Sequence, residues 1–190
     1  MGICLIFGIL GVLVMVGAGP AWWMKTRIWL VALLGLLVAG RACAGTAVVE
    51  VKGLVAGSKM SGTFKFEEKK DGTTITGTLS KAPMGKHGIH IHTESSCQET
   101  GGHLNPSNGS HGYWPKDYPL HAHPGDLGNI EVDDEGNATF KLHMPDIGLA
   151  ARSRYNIRKR TLVITEKEDD FSQPDGNGGA PIACGAIEER

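Results

Sequence analysis

Eight histidines stand in the 190 residues, at positions 87, 90, 92, 103, 111, 121, 123 and 143, and seven of them fall within 37 residues. Imidazole moves protons near neutral pH and is a common ligand for zinc and copper. A cluster this dense points to metal. His90 and His92 are two apart in Ile89-His-Ile-His92, which reads as a strand, so both side chains project from one face. His103, His111, His123 and Asp126 follow in a loop-like stretch. They offer three nitrogens and a carboxylate, a sensible tetrahedral set for zinc. His143 stands apart in a strand-like run and is read as an ordinary surface or satisfied core group.

Such a site needs a rigid frame. Thr63 to Glu67 alternates apolar and polar, and Thr73 to Leu79 is rich in Thr and Ile. Lys69-Lys-Asp-Gly72 between them is a hairpin turn signal. Further short runs are Ala47–Val55, Ile89–His92, Ile130–Val132, Ala138–Leu142, Thr161–Thr165 and Ile182–Ile187. Eight short strands without a sustained helical period predict an all-β antiparallel sandwich or barrel. Two strand-poor, Gly-rich stretches, 93–125 and 166–181, are long for loops in a compact domain, and loops of that length are usually functional.

The overall balance conceals a division. With 41% hydrophobic residues the chain has the mass for a core, and a net charge of −1 excludes a strongly basic nucleic-acid binder. Yet residues 1–44 hold Lys25, Arg27 and Arg41 and no acid, while 45–190 hold sixteen basic and twenty acidic side chains, a net charge of −4. From Met24 the order is a cationic start, an apolar run Ile28–Ala39 and the small-x-small site Ala42-Cys-Ala44. That is the build of a secretory signal peptide over 24–44, cleaved before Gly45. A lipoprotein site at Cys43 would sit badly beside Arg41. The apolar stretch Ile3–Gly19 has two readings. Either 1–23 precedes the true start at Met24, or it is a membrane anchor near the lower length limit for a span. Both send 45–190 out of the cytosol, to the periplasm or cell envelope. There the remaining Cys97 and Cys184 read as one disulfide.

The ordered motifs resemble a known family. His87-Gly-Ile-His-Ile-His92, Cys97, His103-Leu-Asn-Pro, His111-Gly and His123-Pro-Gly-Asp-Leu-Gly-Asn129 are similar to those of the copper/zinc superoxide dismutases. Thr161-Leu-Val-Ile-Thr-Glu-Lys-Glu-Asp-Asp170, Gly176-Asn-Gly-Gly and Ala183-Cys-Gly-Ala-Ile187 continue the resemblance, which spans about 46–188 and looks like the bacterial exported branch. It implies an eight-stranded antiparallel Greek-key barrel with long metal-binding loops. It implies that His90, His92 and His103 bind copper. It gives one zinc per chain to His103, His111, His123 and Asp126, with His103 bridging the metals. It makes Cys97–Cys184 the disulfide and Asp169 a carboxylate joining a copper histidine to a zinc histidine. His87 is structural in that family. The implied substrate is superoxide, and family members occur as monomers and as homodimers.

Two positions depart from the pattern. The family's fourth copper ligand, a His before the paired acids, falls at Thr165. A hydroxyl is a poor copper ligand, and no histidine follows His143 to replace it. His121 is the one spare nearby and is expected to face solvent. The family's arginine over the copper, which draws in the superoxide anion, falls at Pro181, with Asp169, Asp170 and Asp175 close by. The expectation is a superoxide dismutase-like metalloprotein with a complete zinc set, an incomplete copper set and weak or absent dismutation. The alternatives are a non-catalytic zinc-stabilised module and a copper-binding or copper-delivery domain. Other classes find little support. No glycine-rich phosphate loop follows a strand and opens a helix. Arg152, Arg154, Arg158, Lys159 and Arg160 read as a solvated loop, and Tyr113, Trp114 and Tyr118 as loop packing.

Overall fold

Alternation builds the frame. The computed structural model describes residues 45–117 and 121–188, so the signal peptide, the upstream segment and Tyr118 lie outside the described residues. Strands β1 (Thr46–Gly53), β2 (Ser61–Lys69) and β3 (Gly72–Ser80) form a meander. Their inward residues, among them Val49, Phe64, Phe66 and Ile75, are fully buried, while neighbours such as Lys65 face out. The expected hairpin closes with Lys69 opposite Gly72. Gly72 takes φ 137°, where a Cβ would strike Met144 O.

After β3 the chain crosses over. β4 (Gly85–His92) pairs with β5 (Asp126–Val132) and β9 (Thr161–Thr165), whereas β3 pairs with β6 (Ala138–Met144). β10 (Pro181–Ala186) joins β9 to β1, giving the order β5-β4-β9-β10-β1-β2-β3-β6, antiparallel throughout. The end strands β5 and β6 lie against each other, so the sheet is a nearly closed eight-stranded Greek-key barrel. All eight expected strands are present. Two small features were not anticipated: a two-residue parallel pair, β7 (Ile147–Gly148) with β8 (Tyr155–Asn156), and the one-turn helix α1 (Trp114–Asp117). Elements of two to four residues carry no readable period.

The two long loops fold back onto β4 and β9. Loop 93–125 is pinned by Leu104 N–H to Ile91 O (2.8 Å) and Ile91 N–H to Gly125 O (2.9 Å). Loop 166–180 is pinned by Gly88 N–H to Lys167 O (2.8 Å) and Glu166 N–H to Ala180 O (2.9 Å). The disulfide is Cys97–Cys184, tying the first loop to β10 across 87 residues.

Candidate metal centre

β4 sets the site. Ile89 and Ile91 face the core, so His90 and His92 stand on the other face, as their spacing requires. On a bare barrel that face would be wet, yet both imidazoles are buried. His103, from the covering loop, stacks on His90 with ring centroids 4.0 Å apart and lies 5.0 Å from His92. One nitrogen from each of the three lies within 4.8 Å of the others.

Hydrogen bonds decide which nitrogens are available. His90 Nε2 donates to Asp169 Oδ2 (2.8 Å) and His92 Nδ1 donates to Gly101 O (2.8 Å). With the outer nitrogens protonated, the inner ones carry lone pairs. His90 Nδ1 and His92 Nε2 are both buried without a hydrogen-bond partner. Burial favours the neutral form of both rings, and for His90 it outweighs the hydrogen bond to Asp169. For His92 burial, with repulsion from His103, lowers the pKa to about 4. Neutral, orphaned, converging imidazole nitrogens fit a metal such as copper.

A second cluster centres on Asp126, at the start of β5. Its Oδ1 lies 2.9 Å from His103 Nδ1 and 3.1 Å from His123 Nδ1, and its Oδ2 lies 2.9 Å from His111 Nδ1. The backbone N–H groups of His123 (2.8 Å) and Gly112 (3.2 Å) donate to Oδ2. His123 Nε2 donates to Gly109 O (3.0 Å), which fixes its tautomer as Gly101 fixes that of His92. Burial opposes the charge on Asp126, but the three imidazoles outweigh it and hold the carboxyl well below the usual range. Burial also opposes charge on His111, and hydrogen bonds to Asp126 and Asp169 override it, pushing the pKa up to about 9. A proton thus stands where three nitrogens and a carboxylate could hold a cation. His103 belongs to both clusters.

Asp169 joins them. Its Oδ2 meets His90 Nε2, and its Oδ1 meets His111 Nε2 at 2.9 Å. Burial raises its pKa, but the hydrogen bonds from His111 and His90 bring it down to about 2. Gly176, at φ 76°, passes so close that a Cβ would strike both Asp169 Oδ1 and His111 Nε2. Two carboxamides that the sequence reading passed over hold this link in place. Asn129 accepts from Asp169 N–H (2.8 Å) and donates to Asp169 O (2.9 Å). Gln173 accepts from His111 N–H (3.0 Å) and donates to His111 O (2.8 Å). Asn129 ends a motif that invited the question. Gln173 lies in an irregular loop, where nothing in the sequence marks it.

The two departures sit side by side. Thr165 is buried and opposite Pro181 across β9 and β10. Its hydroxyl is turned to the Lys167 carbonyl (3.1 Å) and the Gly88 carbonyl (3.3 Å). A cavity of about 450 Å³ opens over His92, His103 and Thr165, with Asp175, Asn177, Gly178 and Pro181 on its walls and no Lys or Arg among its lining residues.

The remaining candidates fall away from the site. His87 is buried, with its two ring nitrogens 2.9 Å from Thr165 O and Pro83 O. His121 is exposed, and His143 is exposed beside Thr74 and Asp71. Trp114 is buried in the core, and Tyr113 packs on Phe171. In the basic stretch, Arg154 pairs with Asp146 and lies over Tyr155, and Arg160 donates to Thr93 O.

The model of the copper/zinc superoxide dismutase family matches residues 60–187. The chain belongs to that family. The extracellular Cu-Zn superoxide dismutase of Caenorhabditis elegans is 34% identical over 188 residues, 88% of this chain and 81% of that one. Among solved structures, the crystal structure of the clock protein EA4 superposes with a TM-score of 0.66 at 29% identity, covering 76% of this chain and 94% of that one. Copper and zinc are the metals of the superoxide dismutase family, and the His/Asp clusters here could hold metal.

Proposed function

We propose that the chain is an exported superoxide dismutase-type metalloprotein with a complete zinc site and a copper site one histidine short, so that it turns superoxide over slowly at best. His103, His111, His123 and Asp126 hold zinc, and His90, His92 and His103 hold copper. The observation that carries this reading is the contrast between the two clusters. Around Asp126 three imidazoles converge, a four-ligand set with its carboxylate. Among the described residues, the group that holds both His90 and His92 is completed by His103 alone, and the hydroxyl at 165 is turned to backbone carbonyls.

When bound, copper supplies the one-electron chemistry by which two superoxide ions and two protons become dioxygen and hydrogen peroxide. The protein's own part is positional. Asp169 and Gly101 keep the lone pairs of His90 and His92 turned inward. Asp126 orients His103 through Nδ1. The cavity walls admit a small molecule, but with Asp175 present and no cation lining them they do not attract an anion. Export, with 24–44 as signal peptide and 45–190 as the mature domain, is supported by the disulfide and by the extracellular relative.

Metal analysis of purified chain, with a dismutase assay on copper-loaded protein, tests the reading. The expected result is one zinc per chain, weaker copper uptake and a rate far below diffusion control. Fast dismutation by the wild type would contradict it. A second reading, a zinc module without copper, draws on the commitment of the Thr165 hydroxyl to the backbone, and predicts no copper under any loading condition.

A further inference from the structure

Two aromatic side chains lie beside the Asp126 cluster without belonging to it. Phe171 and Tyr113 are 38% and 36% exposed, yet the histidine next to them, His111, is only 3% exposed. The Phe171 ring runs nearly parallel to the His111 imidazole, with 21° between the planes and 6.4 Å between centroids. Tyr113 lies against Phe171 at 5.6 Å. Its ring covers Gly128, where a Cβ would come within 2.8 Å of Tyr113 Cε2. Phe171 N–H donates to Asp169 Oδ1 (2.8 Å), the oxygen that meets His111 Nε2.

Two features set Phe171 apart from ordinary loop packing. Its backbone stands at φ 61°, in the left-handed region that glycine enters freely and a bulky residue rarely enters. A glycine there would make the same N–H hydrogen bond to Asp169 without the strain. The ring is also too exposed to collect its full burial energy. What the ring alone supplies is apolar cover on His111, and such cover controls the access of solvent to a metal site. The cavity over His92 and His103 offers no second way in, since His111, His123 and Asp126 are absent from its walls.

We propose that Phe171, backed by Tyr113, is a lid on the zinc cluster. The pair are positioning residues: they hold the His111 ring beside Asp169 and keep water and competing ligands from the metal, so that zinc leaves only when loop 166–180 opens. The inference rests on the zinc assignment of His103, His111, His123 and Asp126.

The test is kinetic. Zinc-loaded chain is mixed with a chromogenic chelator over a range of excess concentrations, and the melting temperature of each zinc-free form is measured beside it. With the lid present, opening limits release, so the wild-type rate should be slow and independent of chelator concentration. Phe171→Gly keeps the backbone and its hydrogen bond and removes the ring. It should release zinc at least about tenfold faster, at a rate that climbs with chelator concentration, because the chelator now reaches bound metal directly. The zinc-free form of this variant should melt close to the wild type. Phe171→Tyr restores a ring and should restore slow, concentration-independent release, and Tyr113→Ala should fall between. Phe171→Gly that releases zinc at the wild-type rate overturns the lid and leaves the zinc assignment standing. So does faster release that stays independent of chelator and follows a lower zinc-free melting temperature, the pattern of a purely structural role. A wild type that takes up no zinc overturns both.

Discussion

At the residue scale, the site depends on which nitrogen faces which way. Asp169 fixes this for His90 and His111 together, with its own main chain held by Asn129. Asp169→Asn keeps the shape but loses the charge and one acceptor. It should weaken metal affinity by about 10–100-fold, read by competition with a chelator of known affinity. The zinc-free protein carries a pH signature at His111, whose pKa is raised from 6.5 to about 9. A raised pKa stabilises the fold fully below pH 6.5, and the contribution is lost as pH rises through about 9. In the proposed zinc site the metal would replace that proton. Zinc binding at pH 7 is therefore expected to release a proton, measured as a buffer-dependent binding enthalpy. The melting temperature of the zinc-free protein should fall between pH 6.5 and 9, with zinc-loaded protein flatter over that window. Equal slopes in the two forms would contradict the placement of zinc at His111.

At the element scale, the barrel supplies one rigid edge, and two loops bring everything else to it. Loop 93–125 carries His103, His111 and His123, and it is tied down by Leu104, by Cys97–Cys184 and by the Asp126 cluster. Cys97→Ser with Cys184→Ser removes a link across 87 residues. The chain-entropy model puts its value at about 4–5 kcal/mol, so a large drop in the denaturation midpoint is expected, with zinc recovering part of it. These elements differ in how far the sequence foretold them. The eight strands were legible because alternation over five to nine residues is a long-lived signal, and His90 and His92 declared their shared face through a spacing of two. The disulfide followed from the two cysteines left in 45–190, the zinc set from three histidines and a carboxylate, and the division between copper and zinc from ordered motifs. The clamps by Asn129 and Gln173 were not legible. They depend on where an irregular loop comes to rest, and a single polar side chain announces nothing about that. The same holds for the Thr165 hydroxyl: its type was plain, but its choice of the Gly88 and Lys167 carbonyls required coordinates.

At the scale of the whole molecule, the proposal of slow dismutation draws on charge and on the copper ligand set. Residues 45–190 carry a net charge of −4, and the cavity over His92 and His103 has an aspartate and no cation on its walls. Association with superoxide is therefore expected to show no acceleration as salt is lowered, whereas a guiding cation would produce one. Secreted protein should begin at Gly45, which the intact mass would reveal. The central claim is that Thr165 and Pro181 together disable an otherwise intact site. Its most direct test is copper content and dismutation rate of the wild type beside Thr165→His/Pro181→Arg, both loaded under the same conditions. The account predicts that the double variant gains copper affinity and activity together while zinc content stays at one per chain. A wild type already full of copper and as fast as the variant would contradict it.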